Sequence, residues 1–245
     1  MTESRSSLSY GFILGCSLVV LAWLAVIIGL GLEGVFHRPV GQPPLPTLLA
    51  IGMPPAVFLV LLRWRRFNDS VLAIDPVWLV AVHGLRILGA AFLVAYAFDG
   101  LPGVFAHPAG WGDILVALLA PFVAVMLARD PRFLRSRWLW GFHALGMLDF
   151  VGAVGSGLLA RALLAGGHDL VATTALSQFP LLLIPCFAVP LWICLHIAAF
   201  RQIAAARRGD PRVAGIPAPG GGEHGLAGGE SAAESTEPAP VLGRR

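Results

Sequence analysis

Six side chains able to carry charge, pass a proton or ligate a metal lie within or at the edge of long apolar runs: His83, Arg86, Asp113, His143, Asp149 and His196. An ionisable group at membrane depth is expensive, by roughly 2.5–3.5 kcal/mol on the insertion scale, so such residues are functional candidates by default. Arg86 and Asp149 fall near the centres of the third and fifth apolar runs, where opposite charges at matching depth offset each other's desolvation. We expect them to pair, either as a clasp that fixes helix packing or as a proton or substrate site. His83, His143 and His196 each lie roughly one to two turns from the same end of their runs, and equal depth permits a cluster. Three kinds of chemistry suit that trio: hydrogen-bonded packing, proton handling near neutral pH, and ligation of haem or a metal.

Spacing says which way some of these groups point. His83 and Arg86 are three apart and share a helix face. Asp149 shares its face with Gly146, Gly152, Ala153 and Ser156, a small-residue stripe suited to close helix contact, so it points into the bundle. His143 sits about 120° around the helix from Asp149, so the two do not face one partner squarely. Asp113 reads as a first-turn residue of the fourth helix, where an acid complements the helix dipole, with an entrance or site role as the alternative. No cofactor and no catalytic residue are predicted; haem, held by His83, His143 and His196, is the alternative.

The elements that must carry these residues are membrane spans. The chain has 245 residues, of which 57% are hydrophobic and 13% charged, the latter about half the usual share. Mean hydropathy is +0.78, more apolar than a soluble core absorbs. A hydrocarbon core of roughly 30 Å takes about 20 helical residues to cross. Six runs meet that length, at residues 11–32, 45–62, 77–98, 110–127, 139–160 and 179–200. Asp75 followed by Pro76 is a capping acid and a residue that needs no amide partner, a start signal for the third span; Asp130 and Pro131 close the fourth. Pro54 and Pro55 predict a kinked or broken second span, and Pro180, Pro185 and Pro190 predict repeated interruption of the sixth. Residues 99–112 read as an outer loop of interfacial composition.

Orientation follows from the arginines, since basic residues stay on the cytoplasmic side. The inner segments would hold Arg5, Arg63, Arg65, Arg66, Arg129, Arg132, Arg135, Arg137, Arg201, Arg207, Arg208 and Arg212, against Arg38 and Arg161 outside. Trp64, Trp78, Trp138 and Trp140 flank the inner loops, at headgroup level. Both termini are therefore expected in the cytoplasm, with 1–10 as an N-terminal segment, 11–204 as the transmembrane domain and 205–245 as a disordered tail too polar to offset the entropy of ordering. Cys16, Cys186 and Cys194 suggest no disulfide framework. The arginine groups end apolar runs, so they read as topology signals and predict no nucleic-acid partner. Phosphate-binding glycine loops, paired Cys-x-x-Cys motifs, the His-Glu-x-x-His motif and the nucleophile elbow are absent, so catalysis has little support. Gly11 and Gly15 form one Gly-x-x-x-Gly element, which leaves a homo-oligomer or a membrane partner open.

The stretch His83 to Gly89, continuing through Leu101 to Asp113, together with Leu148-Asp149-Phe150 and the segment from Leu183 to His196, resembles a family of uncharacterised six-span bacterial inner-membrane proteins. The resemblance implies a fold and a location in the bacterial inner membrane, and no activity. The expectation is thus an all-α polytopic transmembrane bundle in contact with lipid. Its leading function is a small-solute or proton-coupled permease. The alternatives are a non-catalytic sensor or accessory subunit, and a haem-binding redox protein.

Overall fold

A computed structural model of the chain describes residues 10–39, 41–168 and 172–213, and every regular element among them is helical. In order these are α1 (Tyr10–Leu32), α2 (Leu45–Leu61), α3 (Arg65–Leu72), α4 (Pro76–Ala81), a 3-10 segment (Val82–Gly89), α5 (Ala90–Ala97), α6 (Gly103–Arg129), a short 3-10 turn (Pro131–Arg135), α7 (Arg137–Ala165), a second short turn (Thr173–Ser177), a π segment (Ile184–Ala188) and α8 (Val189–Arg207). Five helical units are long and apolar enough to cross a membrane: α1, α4 through α5, α6, α7, and the π segment with α8. A sixth counts if α2 and α3 are taken as one span, but they meet at 103°.

The helix starts follow capping chemistry. The Asp75 carboxylate accepts from the Val77 amide at 2.8 Å with Pro76 in the first position, and Ser136 accepts from the Trp138 amide at 3.0 Å to open α7. Asp130 ends α6 and accepts from the Arg132 amide at 2.9 Å. Past the end of α8, Gly209 takes φ +72°, a left-handed stop that a glycine adopts without strain.

Four boundaries differ from the sequence expectation. α2 runs unbroken through Pro54 and Pro55, and the sharp bend falls after it, at residues 62–64. α6 begins at Gly103, so most of the expected outer loop is helix and Asp113 lies well inside α6 and not in its first turn. Packing overrides the loop-like composition there. Phe105, Ala106 and Ala109 are buried with Phe92 and Leu101, and a β-carbon on Gly110 would crowd Leu93 of α5. The sixth run has regular helix only from Ile184, entering as a π segment around Pro185. Finally, residues 205–213 are the end of α8 and a packed turn, with Val213 buried in the same cluster as Leu72 and Leu134; the rest of the expected tail and the first nine residues lie outside the described residues.

Side-chain contacts define the two ends of the bundle. At one end Arg201 bonds Asn68 of α3 at 2.8 Å, Arg207 bonds the Arg135 and Ser136 carbonyls, and Arg212 bridges Asp69 and Asp210 at 2.7 Å each. The Arg212 hydrogen bonds hold the Asp210 carboxyl down at about 2. At the other end a single Arg161 nitrogen meets the carbonyls of Arg38, Pro39 and Gln42, tying α7 to the α1–α2 connection. The arginine-rich segments thus share one end. α1 is the outlying helix: Ile27 is its one buried residue, and it meets the body closely where Gly31 abuts Leu182 and Phe179.

Gln202 is the joint between α8 and the bent helix. It is fully buried, and its amide donates to the Val71 carbonyl at 3.0 Å, which also accepts from the Ile74 amide, and to the Ile74 carbonyl at 2.8 Å just past the end of α3. Gln202→Leu strands the Ile74 carbonyl and should lower stability by about 1–3 kcal/mol. Asp75→Ala, which removes one exposed cap, should cost about 1 kcal/mol. Thermal unfolding in detergent that ranks the two the other way round would contradict this role for Gln202.

Candidate functional site

The 3-10 segment between α4 and α5 is what lines up the polar core. Its three residues per turn stack positions three apart, and His83, Arg86 and Gly89 form one buried row. An α-helix would fan the same three side chains around by about 60° per step. The row faces α6, α7 and α8, each of which contributes a partner.

Arg86 is completely buried. Its Nε donates to Asp113 Oδ1 of α6 at 2.7 Å, and one terminal nitrogen donates to Asp149 Oδ2 of α7. The other terminal nitrogen lies 3.3 Å from the Gly146 carbonyl and 3.3 Å from His196 Nε2 of α8. Phe150 covers the guanidinium, its ring centre 3.9 Å from the central carbon, a cation–π contact. One guanidinium cannot balance two carboxylates. Fully ionised, the group carries a net charge of −1, so a proton or another cation belongs in its neighbourhood.

The histidines continue the cluster. His196 Nδ1 is 2.9 Å from His143 Nδ1, and the His83 ring stacks on His196 with centroids 4.0 Å apart and planes at 15°. His143 and Asp149 indeed share no direct partner; His196 and Arg86 stand between them. All six residues singled out by sequence therefore fall in one contiguous group.

Three glycines make the space, and only Gly146 of these is among the residues singled out from sequence. A β-carbon on Gly89 would overlap the Asp113 carboxyl, one on Gly112 the Asp149 carboxylate, and one on Gly146 the His196 ring. Each lies within three residues of a buried charge, which is the signal a reading of the sequence could have used. By contrast Gly152 of the small-residue stripe meets nothing within 4 Å and takes no part in a helix contact.

Asp113 also lines a cavity of about 110 Å³. Phe92, Phe105, Phe150 and Leu158 give it apolar walls, and Arg38 and Arg161 stand at its other end. Phe150 to Arg161 is eleven residues of α7, about 16 Å of helical rise, so the cavity reaches from the arginine-poor end to the charged centre.

Among the described residues the protein is all-helical, with five or six membrane-length apolar helices and a buried ionic centre. The chain belongs to the family described as "Domain of unknown function (DUF8737)", which matches residues 44–204. That range runs from the start of α2 into α8, includes every residue of the cluster, and leaves α1 outside. No curated protein matches the chain. No solved structure matches it either.

Gly112→Ala should push Asp149 away from Arg86 or α6 away from α7, at about 1–3 kcal/mol, whereas Gly152→Ala should be neutral or stabilising by up to about 1 kcal/mol. Equal melting temperatures for the two variants would argue against the close fit at Gly112. Arg86→Gln leaves two buried carboxylates without their cation and should cost about 3–5 kcal/mol. Detergent melts compared with wild type measure it, and a near-neutral effect would contradict the clasp.

Proposed function

We propose that this protein is a small-solute permease of the bacterial inner membrane, coupled to protons through the carboxylates that share Arg86. The observation that carries the reading is a cavity of about 110 Å³ lined by Asp113, one of two carboxylates bound to a single buried guanidinium. The net charge of the trio changes when one carboxyl gains a proton, and a solute that donates a hydrogen bond to Asp113 competes for the same position. Cavity walls of Phe, Leu and Ile suit a solute with an apolar body, and the Asp113 carboxylate suits an amine or hydroxyl at its leading end.

Arginine distribution supports an orientation with the arginine-rich end in the cytoplasm, and the cavity then opens on the opposite side. The 3-10 segment and the π entry to α8 border the charged centre and the cavity respectively, and such irregular turns are the places where a span can bend as the site changes sides.

Purified protein in liposomes with an imposed pH gradient provides the test, using a panel of labelled primary amines and neutral amino acids as probes. Gradient-driven accumulation above protein-free liposomes is expected for at least one member. Asp149→Asn should abolish it while leaving a folded, monodisperse protein. Accumulation unchanged in Asp149→Asn would leave the ionic centre as a packing clasp, and the accessory-subunit reading would replace this one.

A further inference from the structure

The histidine half of the cluster takes no part in the cavity, and its chemistry is independent of the permease reading. His83, His143 and His196 come from the 3-10 segment, α7 and α8, all three are completely buried, and one ring nitrogen from each lies within 4.8 Å of the other two. A neutral imidazole has one N–H and one lone pair, and a buried one needs a partner for each. The partners present force a definite arrangement. A guanidinium only donates, so His196 Nε2 accepts from Arg86 and the His196 proton sits on Nδ1. That proton is donated to His143 Nδ1, which puts the His143 proton on Nε2, where it has no acceptor. Both nitrogens of His83 are likewise without a partner. The unpartnered His83 ring is a standing penalty, and a ligand that took one of its nitrogens together with the His143 and His196 Nδ1 atoms would relieve part of it.

We propose that His83, His143 and His196 bind a single divalent transition-metal ion. Three imidazoles are donors for zinc, cobalt, nickel or copper and not for magnesium or calcium, which require oxygen. The His143 and His196 Nδ1 atoms are 2.9 Å apart, and two nitrogens at about 2.0–2.1 Å from a tetrahedral ion stand about 3.3 Å apart, so a small opening of the pair admits it. As the ion takes the Nδ1 lone pair of His196, the proton moves to Nε2, and the 3.3 Å contact of that nitrogen with the Arg86 guanidinium must open. The nearest charge is the Arg86 guanidinium, 3.3 Å from His196 Nε2, with the Asp113 and Asp149 carboxylates beyond it, so the ion sits on the side of the imidazoles away from Arg86. Haem is disfavoured, because its two axial imidazoles stand on opposite faces of a macrocycle, whereas the His83 and His196 rings stack directly on each other. An ion here would join the 3-10 segment, α7 and α8 at one point.

The test uses the full chain in detergent, stripped with a chelator and titrated with Co²⁺, with Zn²⁺ as competitor. Expected is saturable binding of one Co²⁺ per chain with the visible absorption of a four- or five-coordinate ion, displaced by Zn²⁺, and X-ray absorption of the zinc form showing imidazole nitrogen neighbours. His143→Ala and His196→Ala should each abolish that stoichiometric binding. The X-ray absorption arm needs no variant to fold. Absence of saturable binding to the folded wild-type chain, an oxygen-only ligand shell, or binding unchanged in His143→Ala and His196→Ala would overturn the proposal. None of these outcomes bears on the Asp149→Asn flux result, so the two readings fail separately.

Discussion

Arg86 cannot relieve its burial by losing a proton, because a guanidinium stays charged in any protein environment. Lysine or histidine in the same place could become neutral; arginine obliges the surroundings to change instead. Within this bundle that means negative charge from two helices, carbonyl and imidazole acceptors from two more positions, and an aromatic face over the plane. The demand explains features that look unrelated along the chain. The third span tightens to 3-10 geometry so that Arg86 is in line with Gly89, and Gly89, Gly112 and Gly146 lack side chains so that α6, α7 and α8 can bring their polar groups to contact.

Supplying two carboxylates for one cation overshoots, and the excess gives the centre its chemical interest. On one side the excess meets a cavity with apolar walls, where a carboxylate can exchange a proton or greet a donor group. On the other side the Arg86 guanidinium meets His196, whose ring stacks on His83 and bonds His143. Arg86 is the partition between the two. A change in charge on either side is felt through the same guanidinium, at separations of a few ångströms in a low-dielectric interior where Coulomb interactions are strong.

The ends of the bundle are built differently from its centre. At the arginine-rich end, α3 turns off the axis of α2 by 103° and is held by Gln202, Arg201 and Arg212, three residues from one stretch of chain. At the other end, Arg161 holds the α1–α2 connection through backbone carbonyls. Both joints use long donors to satisfy carbonyls or polar side chains that the helical ladder leaves over, as the backbone accounting requires wherever helices stop near an apolar environment.

Much of this was legible in one dimension. Hydropathy and helix length mark the apolar spans, because a bilayer-length run needs no information from elsewhere in the chain. Asp75, Pro76 and Asp130 mark helix limits, because capping is local. The six ionisable residues stand out because an apolar background makes any charge conspicuous, and the pairing of Arg86 with Asp149 follows from depth alone. What local pattern could not reach was decided by packing. Asp113 is interior to α6 because Phe105, Ala106 and Ala109 have neighbours to bury against, which extends the helix through a segment whose composition suits a loop. α2 continues through two prolines and bends elsewhere. The join of the histidines to the ionic centre depends on a 3-10 register in one span and on three glycines in separate elements. Helix propensity, capping and hydropathy are properties of neighbours along the chain, whereas a buried charge is satisfied by groups that folding brings from 27, 63 and 110 residues away.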